Sequence, residues 1–332
     1  MNKKKDKKYK LGIIGCGAFG SFCIEAYKKM PRVEVFAVCR RNRTELKECA
    51  QKYHIPLAYD DYKDLIKNQE IDIVYIATPP FLHAEQAVAA AKHKKHLILE
   101  KPLALNQRDA DKIIKTSKKN EIRTTINYVM RYNPIYDRVK EITKNKLFGK
   151  IEEVSFENYA RTVPPKHWFW DKRKSGGILV EHGVHFFDIF GQIIGSKLIK
   201  LKTQTGSRKV LTAARYENGV LASFFHAFDK PPQIEKSVAR VSYERGYAEI
   251  FGWLPLKLVT EGLVSGQVRK KIIKAPYSKE RLYQKNLQDI LNDLIDSIDN
   301  PGHKPKVTLE DANESLRIAL LATKSGRLNK SS

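Results

Sequence analysis

Gly15-Cys16-Gly17-Ala18-Phe19-Gly20 decides the fold of this chain. Lys10–Ile14 reads as a strand leading into it, and the amphipathic run Ser21–Lys29 reads as a helix leaving it. The glycines therefore sit at a strand-to-helix turn, each with its own task. Gly15 permits the tight turn, Gly17 lets backbone approach a pyrophosphate, and Gly20 lets helix and strand pack closely. The helix N-terminus that follows turns unpaired N–H groups toward an anion, with Ala18 and Phe19 in the turn before it. A glycine hexapeptide alone is a weak signal. With a strand before it and a helix after it, inside a βαβ unit, it predicts a dinucleotide cradle.

Strand-like and helical runs alternate outward from this turn. Val33–Val38, Leu57–Tyr59, Ile71–Ala77, His96–Leu99 and Thr124–Asn127 read as extended. Helical stretches at Thr44–Tyr53, Tyr62–Lys67, Leu82–His93 and Ala110–Asn120 separate them. This spacing predicts an α/β, doubly wound parallel sheet over residues 1–127, with 1–9 as a basic tail. The texture changes at Tyr128. After a helical stretch at Asn133–Lys144, strands are expected at Lys150–Ala160, Leu198–Thr205, Lys209–Tyr216, Val220–Phe228, Val238–Tyr243 and Tyr247–Phe251. Glu217-Asn218-Gly219 and Glu244-Arg245-Gly246 are hairpin signals between them. A helix at Gly183–Ile194 and two closing helices, Leu282–Asp299 and Leu309–Ser325, complete residues 128–332 as an α+β domain with a large, mostly antiparallel open sheet.

Composition narrows the function classes. The chain has 332 residues and 42% hydrophobic content, enough for two cores, and no apolar run long enough to span a bilayer. No signal peptide is read at the N-terminus. The net charge is +24, but the lysines are scattered and no basic–aromatic module accompanies them, so a solvated basic surface is expected rather than nucleic-acid or membrane binding. Cys16, Cys23, Cys39 and Cys49 form no C-x-x-C pair, which fits a reducing cytoplasm without disulfides or metal.

Three further stretches carry chemistry. At the end of the second strand, where an NAD site places an acid on the ribose 2′-hydroxyl, the chain has Cys39-Arg40-Arg41-Asn42-Arg43. Guanidinium groups at Arg40 and Arg41 suit a 2′-phosphate, so NADP(H) is expected over NAD(H). Glu100-Lys101-Pro102 ends a strand on the edge where open α/β sheets hold ligands, and the proline biases Lys101 toward extended backbone. Lys101 is a candidate acid or base. In Gly176-Gly177 through Asp188, Glu181 and His185 share a helical face at i, i+4, so Glu181 can orient a proton-passing His185. A buried hydrogen-bonded histidine, or a metal held by Glu181, His182 and His185, are the other readings of this stretch. Trp168, Phe169 and Trp170 either wall a sugar site or pack in a core.

Taken together, these stretches resemble the glucose-fructose oxidoreductase / inositol dehydrogenase / MocA (Gfo/Idh/MocA) family. The resemblance rests on the glycine loop, on Ala77-Thr78-Pro79-Pro80-Phe81-Leu82-His83, on Glu100-Lys101-Pro102-Leu103-Ala104, on Tyr128–Pro134, and on Ser175–Asp188. It implies a Rossmann domain followed by an open-sheet domain that holds substrate and forms homo-oligomer contacts. It implies hydride transfer between nicotinamide and a carbinol or ketone of a sugar-like or cyclitol molecule, with catalytic roles for Lys101, Glu181 and His185. Cofactor contacts are expected from Thr78, Pro79, His83, Glu100, Lys101 and Asn127 besides the glycine loop, and substrate contacts from Tyr128, Arg131, Trp168 and His182. Glu181 followed by His182 departs from the family's usual aspartate. An NAD-dependent glycosidase and a non-catalytic nucleotide-binding regulator are the alternatives.

Overall fold

The computed structural model describes residues 7–328; residues 1–6 of the expected basic tail, and 329–332, lie outside the described residues. The first unit is built from β1 (Tyr9–Ile14), α1 (Ala18–Tyr27), β2 (Val33–Cys39), α2 (Arg43–Lys52), β3 (Leu57–Tyr59), α3 (Tyr62–Lys67), β4 (Ile73–Ile76), α4 (His83–Lys92), β5 (His96–Leu99), α5 (Gln107–Lys119) and β6 (Thr124–Ile126). Among the described residues its strands form a six-stranded sheet ordered β3-β2-β1-β4-β5-β6, every pairing parallel. Leu11, Ile13, Val74 and Ile98 have no exposed surface, as a sheet covered on both faces requires. Side-chain caps set the helix starts. Asn42 accepts from the Thr44 and Glu45 N–H groups, Asp61 from Lys63, and Asn106 from Asp109. The strand order reverses between β1 and β4, so the loops leaving these two strands flank the crevice where such sheets hold ligands.

The chain divides into two compact units, and the division corrects the expected continuous second domain. The first unit ends at Val129 and takes back Gln284–Asn313. Tyr9 donates to Asp299 at 2.6 Å, Arg32 pairs with Asp296 at 2.6 Å, and Thr125 donates to the Val307 carbonyl at 3.0 Å. These contacts join residues far apart in sequence, and no local pattern announces them.

The second unit begins with α6 (Pro134–Lys144) and β7 (Ile151–Arg161), followed by α7 (Lys172–Ser175), α8 (Val184–Ile194), β8 (Leu198–Gly206), β9 (Lys209–Tyr216), β10 (Leu221–Lys230), β11 (Lys236–Tyr243), β12 (Gly246–Phe251), β13 (Lys257–Val264) and β14 (Gln267–Lys274). Two closing helices follow in the chain, α9 (Lys279–Asp299), most of it in the first unit, and α10 (Leu309–Leu328), most of it in the second. Among the described residues the sheet is eight-stranded, ordered β14-β13-β12-β11-β7-β10-β9-β8, and antiparallel except for β7 with β10. One face is apolar and packs on α8, where Phe186 stacks on Phe156 at 3.7 Å and Phe187 meets Phe224 edge-on at 5.0 Å. Sequence reading missed the β13–β14 hairpin. Every β14 side chain is exposed or half-buried, so the period-2 apolar signal is absent there.

Candidate functional site

The glycine turn is built as its residues demand. Gly15 has φ 101°, and a Cβ there would lie 2.7 Å from the Ala77 carbonyl oxygen. A Cβ on Gly20 would lie 2.0 Å from the Gly15 carbonyl oxygen. Gly17 differs: a Cβ there would meet no protein atom within 4 Å. Nothing in the described chain demands a glycine at 17, so the bare backbone suits the close approach of another molecule. Gly17 caps α1 without a side-chain hydrogen bond, and the first turn carries no acid, so its N–H groups are available to an anion. The turn opens into a cavity of about 660 Å³ that Arg40, Arg41, Thr78 and Pro79 also line. The residues present fit a dinucleotide.

The two arginines after β2 are not equivalent. Arg40 donates through Nη1 to the Cys16 carbonyl at 2.9 Å and pairs with Glu45. Its fork is committed to holding the glycine turn. Arg41 is exposed on the cavity wall and has no acidic partner among the described residues. Asp60 and Asp61 line the same cavity and were not anticipated. Asp60 is bound by Arg43 at 2.6 Å, and Asp61 caps α3.

Glu100 is buried, and both the Tyr75 hydroxyl and Asn127 Nδ2 donate to it. Burial pushes its carboxyl above the usual range, against the opposing pull of these two donors and of the Lys101 charge. The Cys23 thiol lies 3.3 Å from the Tyr75 hydroxyl and completes the cluster. Glu100 and Asn127 thus join the ends of β5 and β6 beneath Lys101, which is half-buried on the loop leaving β5. The expected direct cofactor role of His83 meets a different placement. Its ring is fully buried, with Nδ1 at 2.8 Å from the Pro102 carbonyl and Nε2 at 2.9 Å from the Thr78 carbonyl. Burial lowers its pKa, so the neutral ring donates to one carbonyl at a time while tying the β4 and β5 loops together. Thr78 donates to Gln86 at 2.6 Å and, with Pro79, lines the cavity.

In the second unit, the expected regular helix through Glu181 starts with a π-helical turn, Leu179–Gly183, before α8. Glu181 and His182 sit half-buried on that turn, and His185 is buried on the first turn of α8. The rings of His182 and His185 lie 6.3 Å apart. His226 on β10 was missed; its ring lies 5.4 Å from His182, and it is fully buried. Burial and the neighbouring His182 push its pKa well down. The alternation Phe224-x-His226-x-Phe228 was the available signal, since it puts His226 on the apolar face. Among the described residues no group of three His, Cys, Asp or Glu side chains could hold a metal.

Other candidates have structural posts. Arg131 is buried, and its Nε donates to Asp188 Oδ2 at 2.7 Å while Nη2 pairs with Oδ1. Ser315 adds a third contact to Asp188 at 3.3 Å. The expected substrate role of Arg131 gives way to a buried ion pair, and Tyr128, buried in the first unit, offers no surface to a substrate either. Phe169 packs on Phe228 at 4.8 Å and is core, and the half-buried Trp170 packs edge-on against it at 4.9 Å. Trp168 remains half-exposed.

Comparison with known proteins follows the same division. A family model described as "Oxidoreductase family, NAD-binding Rossmann fold" matches residues 9–128. One described as "GFO/IDH/MocA C-terminal domain" matches residues 136–249. Myo-inositol 2-dehydrogenase of Thermotoga maritima is 29% identical over 189 residues, covering 57% of this chain and 56% of that protein. The chain therefore spans little more than half the length of that relative. Trans-1,2-dihydrobenzene-1,2-diol dehydrogenase of Sus scrofa is 24% identical over 262 residues, 76% of this chain and 77% of that one. The structure of levoglucosan dehydrogenase in complex with NADH and levoglucosan superposes with a TM-score of 0.87 at 18% identity, over 97% of this chain and 98% of that one. At that identity the likeness is one of fold.

Proposed function

The chain belongs to the GFO/IDH/MocA oxidoreductase family, and we propose that it is an NADP(H)-dependent dehydrogenase or reductase acting on a carbinol or ketone of a sugar-like or cyclitol substrate. The observation that carries the reading is the glycine turn, with Gly15 and Gly20 compelled by the fold and Gly17 left open at the head of α1. A relative named for a cyclitol supports the substrate class.

Gly15–Gly17 and the α1 N-terminus hold the pyrophosphate, and Thr78 and Pro79 line its cavity. The nicotinamide, when bound, supplies or accepts the hydride. Either Lys101 or His185 would take the hydroxyl proton in oxidation and return it in reduction, and Glu181 would orient its partner. Glu100 and Asn127 act through the position of Lys101 rather than by contact. The preference for NADP(H) rests on Arg41, whose guanidinium has no acidic partner among the described residues. The levoglucosan dehydrogenase complex holds NADH, so cofactor choice is where this chain is proposed to differ.

Among the described residues no helix is long and apolar enough to cross a membrane. The sheet face turned away from α8 exposes Leu211 and Leu221, and β14 exposes Val268 at 72% and Ile272 at 56%. This apolar surface supports a homo-oligomer formed through the second sheet. Light scattering on the purified chain tests the assembly. A panel of sugars, cyclitols and ketoses with each of the four nicotinamide cofactors tests the reaction: turnover with a polyol or ketose is expected, and none across the panel overturns the reading.

A further inference from the structure

The second unit contains a cavity of about 240 Å³ at the tip of the β8–β9 hairpin. Phe169 and Trp170 form one wall, and Gly177 and Gly206 leave backbone bare on others. Lys172, Arg208 and Lys209 supply its charge, and among the described residues no acidic one lines it. Lys209 is neutralised by Asp229 at 3.3 Å. Lys172 and Arg208 have no acidic partner among the described residues.

The Arg208 guanidinium is held in place. Its carbon lies 5.4 Å from the centroid of the Trp170 ring. That ring is fixed by its Nε1 donating to the Val163 carbonyl at 3.1 Å and by edge contacts with Phe169 and Phe228. A guanidinium stacked on an immobile indole loses little freedom on meeting an anion.

We propose that this cavity binds a small anionic molecule, a carboxylate or phosphate monoester on a sugar-sized body. Arg208 and Lys172 take the charge, and the Phe169–Trp170 wall takes the body. Its lining shares no residue with that of the nucleotide cavity, and the proposal stands whether or not the chain transfers hydride.

Calorimetric titration of the intact protein with glucose 6-phosphate, glucuronate and glucose is the test. At least one of the two anions is expected to bind saturably, with glucose much weaker, and which anion binds identifies the head group. Arg208→Gln and Lys172→Gln change exposed side chains and should leave the melting temperature unchanged. Each should weaken binding about three- to tenfold, the double variant more, and about 0.5 M salt should weaken the wild type similarly. Anion bound at the glycine turn, or at any other basic patch, would be insensitive to these two substitutions. Binding that persists unchanged in the double variant overturns the proposal, as does no saturable binding of either anion in the millimolar range.

Discussion

Arg40 Nη1 lies 2.9 Å from the Cys16 carbonyl oxygen, so one of the two arginines after β2 is a structural member of the glycine turn. Its neighbour Arg41 is left to face the cavity. The two substitutions should therefore differ. Arg41→Ser should weaken NADPH by roughly tenfold and leave NADH nearly unchanged, because only the 2′-phosphate is lost as a partner. Arg40→Gln should weaken both cofactors, because it loosens the loop under the pyrophosphate. Nicotinamide fluorescence titrations give all four constants, and equal losses for both cofactors in Arg41→Ser would sink the assignment.

Arg131 and Asp188 make a two-bonded pair with their side chains 6% and 1% exposed. Removing one partner strands a buried charge, at a cost of about 3–5 kcal/mol. Asp188→Asn should lower the urea midpoint by that measure. Arg131→Met with Asp188→Leu should recover much of it, because no charge is then left unpaired. A loss under about 1 kcal/mol in Asp188→Asn would show that the pair is solvated in solution.

The sequence carried most of the first sheet because its signals are local. Gly15 to Gly20 fixes a turn within six residues, and β1, β2, β4 and β5 are short apolar runs that must be covered on both faces. Several residues that line the cavity at the glycine turn followed from that turn and from the strand ends. What it hid is either non-local or unmarked by pattern. The return of Gln284–Asn313 to the first unit depends on Arg32 and Tyr9 meeting Asp296 and Asp299. Arg131 reads as a free cation until Asp188 is brought against it, and His83 reads as a ligand until both carbonyls beside it are seen. The π turn at Leu179–Gly183 changes the hydrogen-bond step without changing residue types, so composition has no means of marking it.

His96 opens β5, and its Nδ1 accepts the Arg123 backbone N–H at 3.0 Å, which only the neutral ring does. Burial pushes its pKa down to about 4 from the ordinary 6.5, with Lys7 and Arg123 acting in the same direction and Asp72 opposing. The folded ring therefore binds its proton less readily than the unfolded one. Its stability contribution is complete above about pH 6.5 and is lost as pH falls toward 4. Between pH 7 and pH 5 this amounts to roughly 2 kcal/mol. His83 and His226 shift in the same direction, so the wild-type profile alone does not isolate His96. His96→Asn keeps an acceptor for Arg123 but does not titrate. Its urea midpoint should fall less than that of wild type between the two pH values, and identical falls would exclude His96 as the source.

Lys101 stands on a loop anchored from below by Glu100, whose carboxyl takes hydrogen bonds from Tyr75 and Asn127. This lysine is the proton-transfer group proposed in the first unit, and His185 is the corresponding candidate in the second unit. Lys101→Ala and His185→Ala should each depress kcat by about 10²–10⁴ while NADPH affinity stays nearly intact, the loss typical of one positioned acid or base. Glu181→Gln should cost less if it only orients its partner. Asn127→Leu should lower kcat without raising the cofactor Kd, because it releases Glu100 rather than a cofactor contact. Steady-state kinetics on the first substrate found, with fluorescence titration of NADPH, separates these cases. Undiminished kcat in Lys101→Ala would remove the lysine from the mechanism and leave His185 to carry the proton.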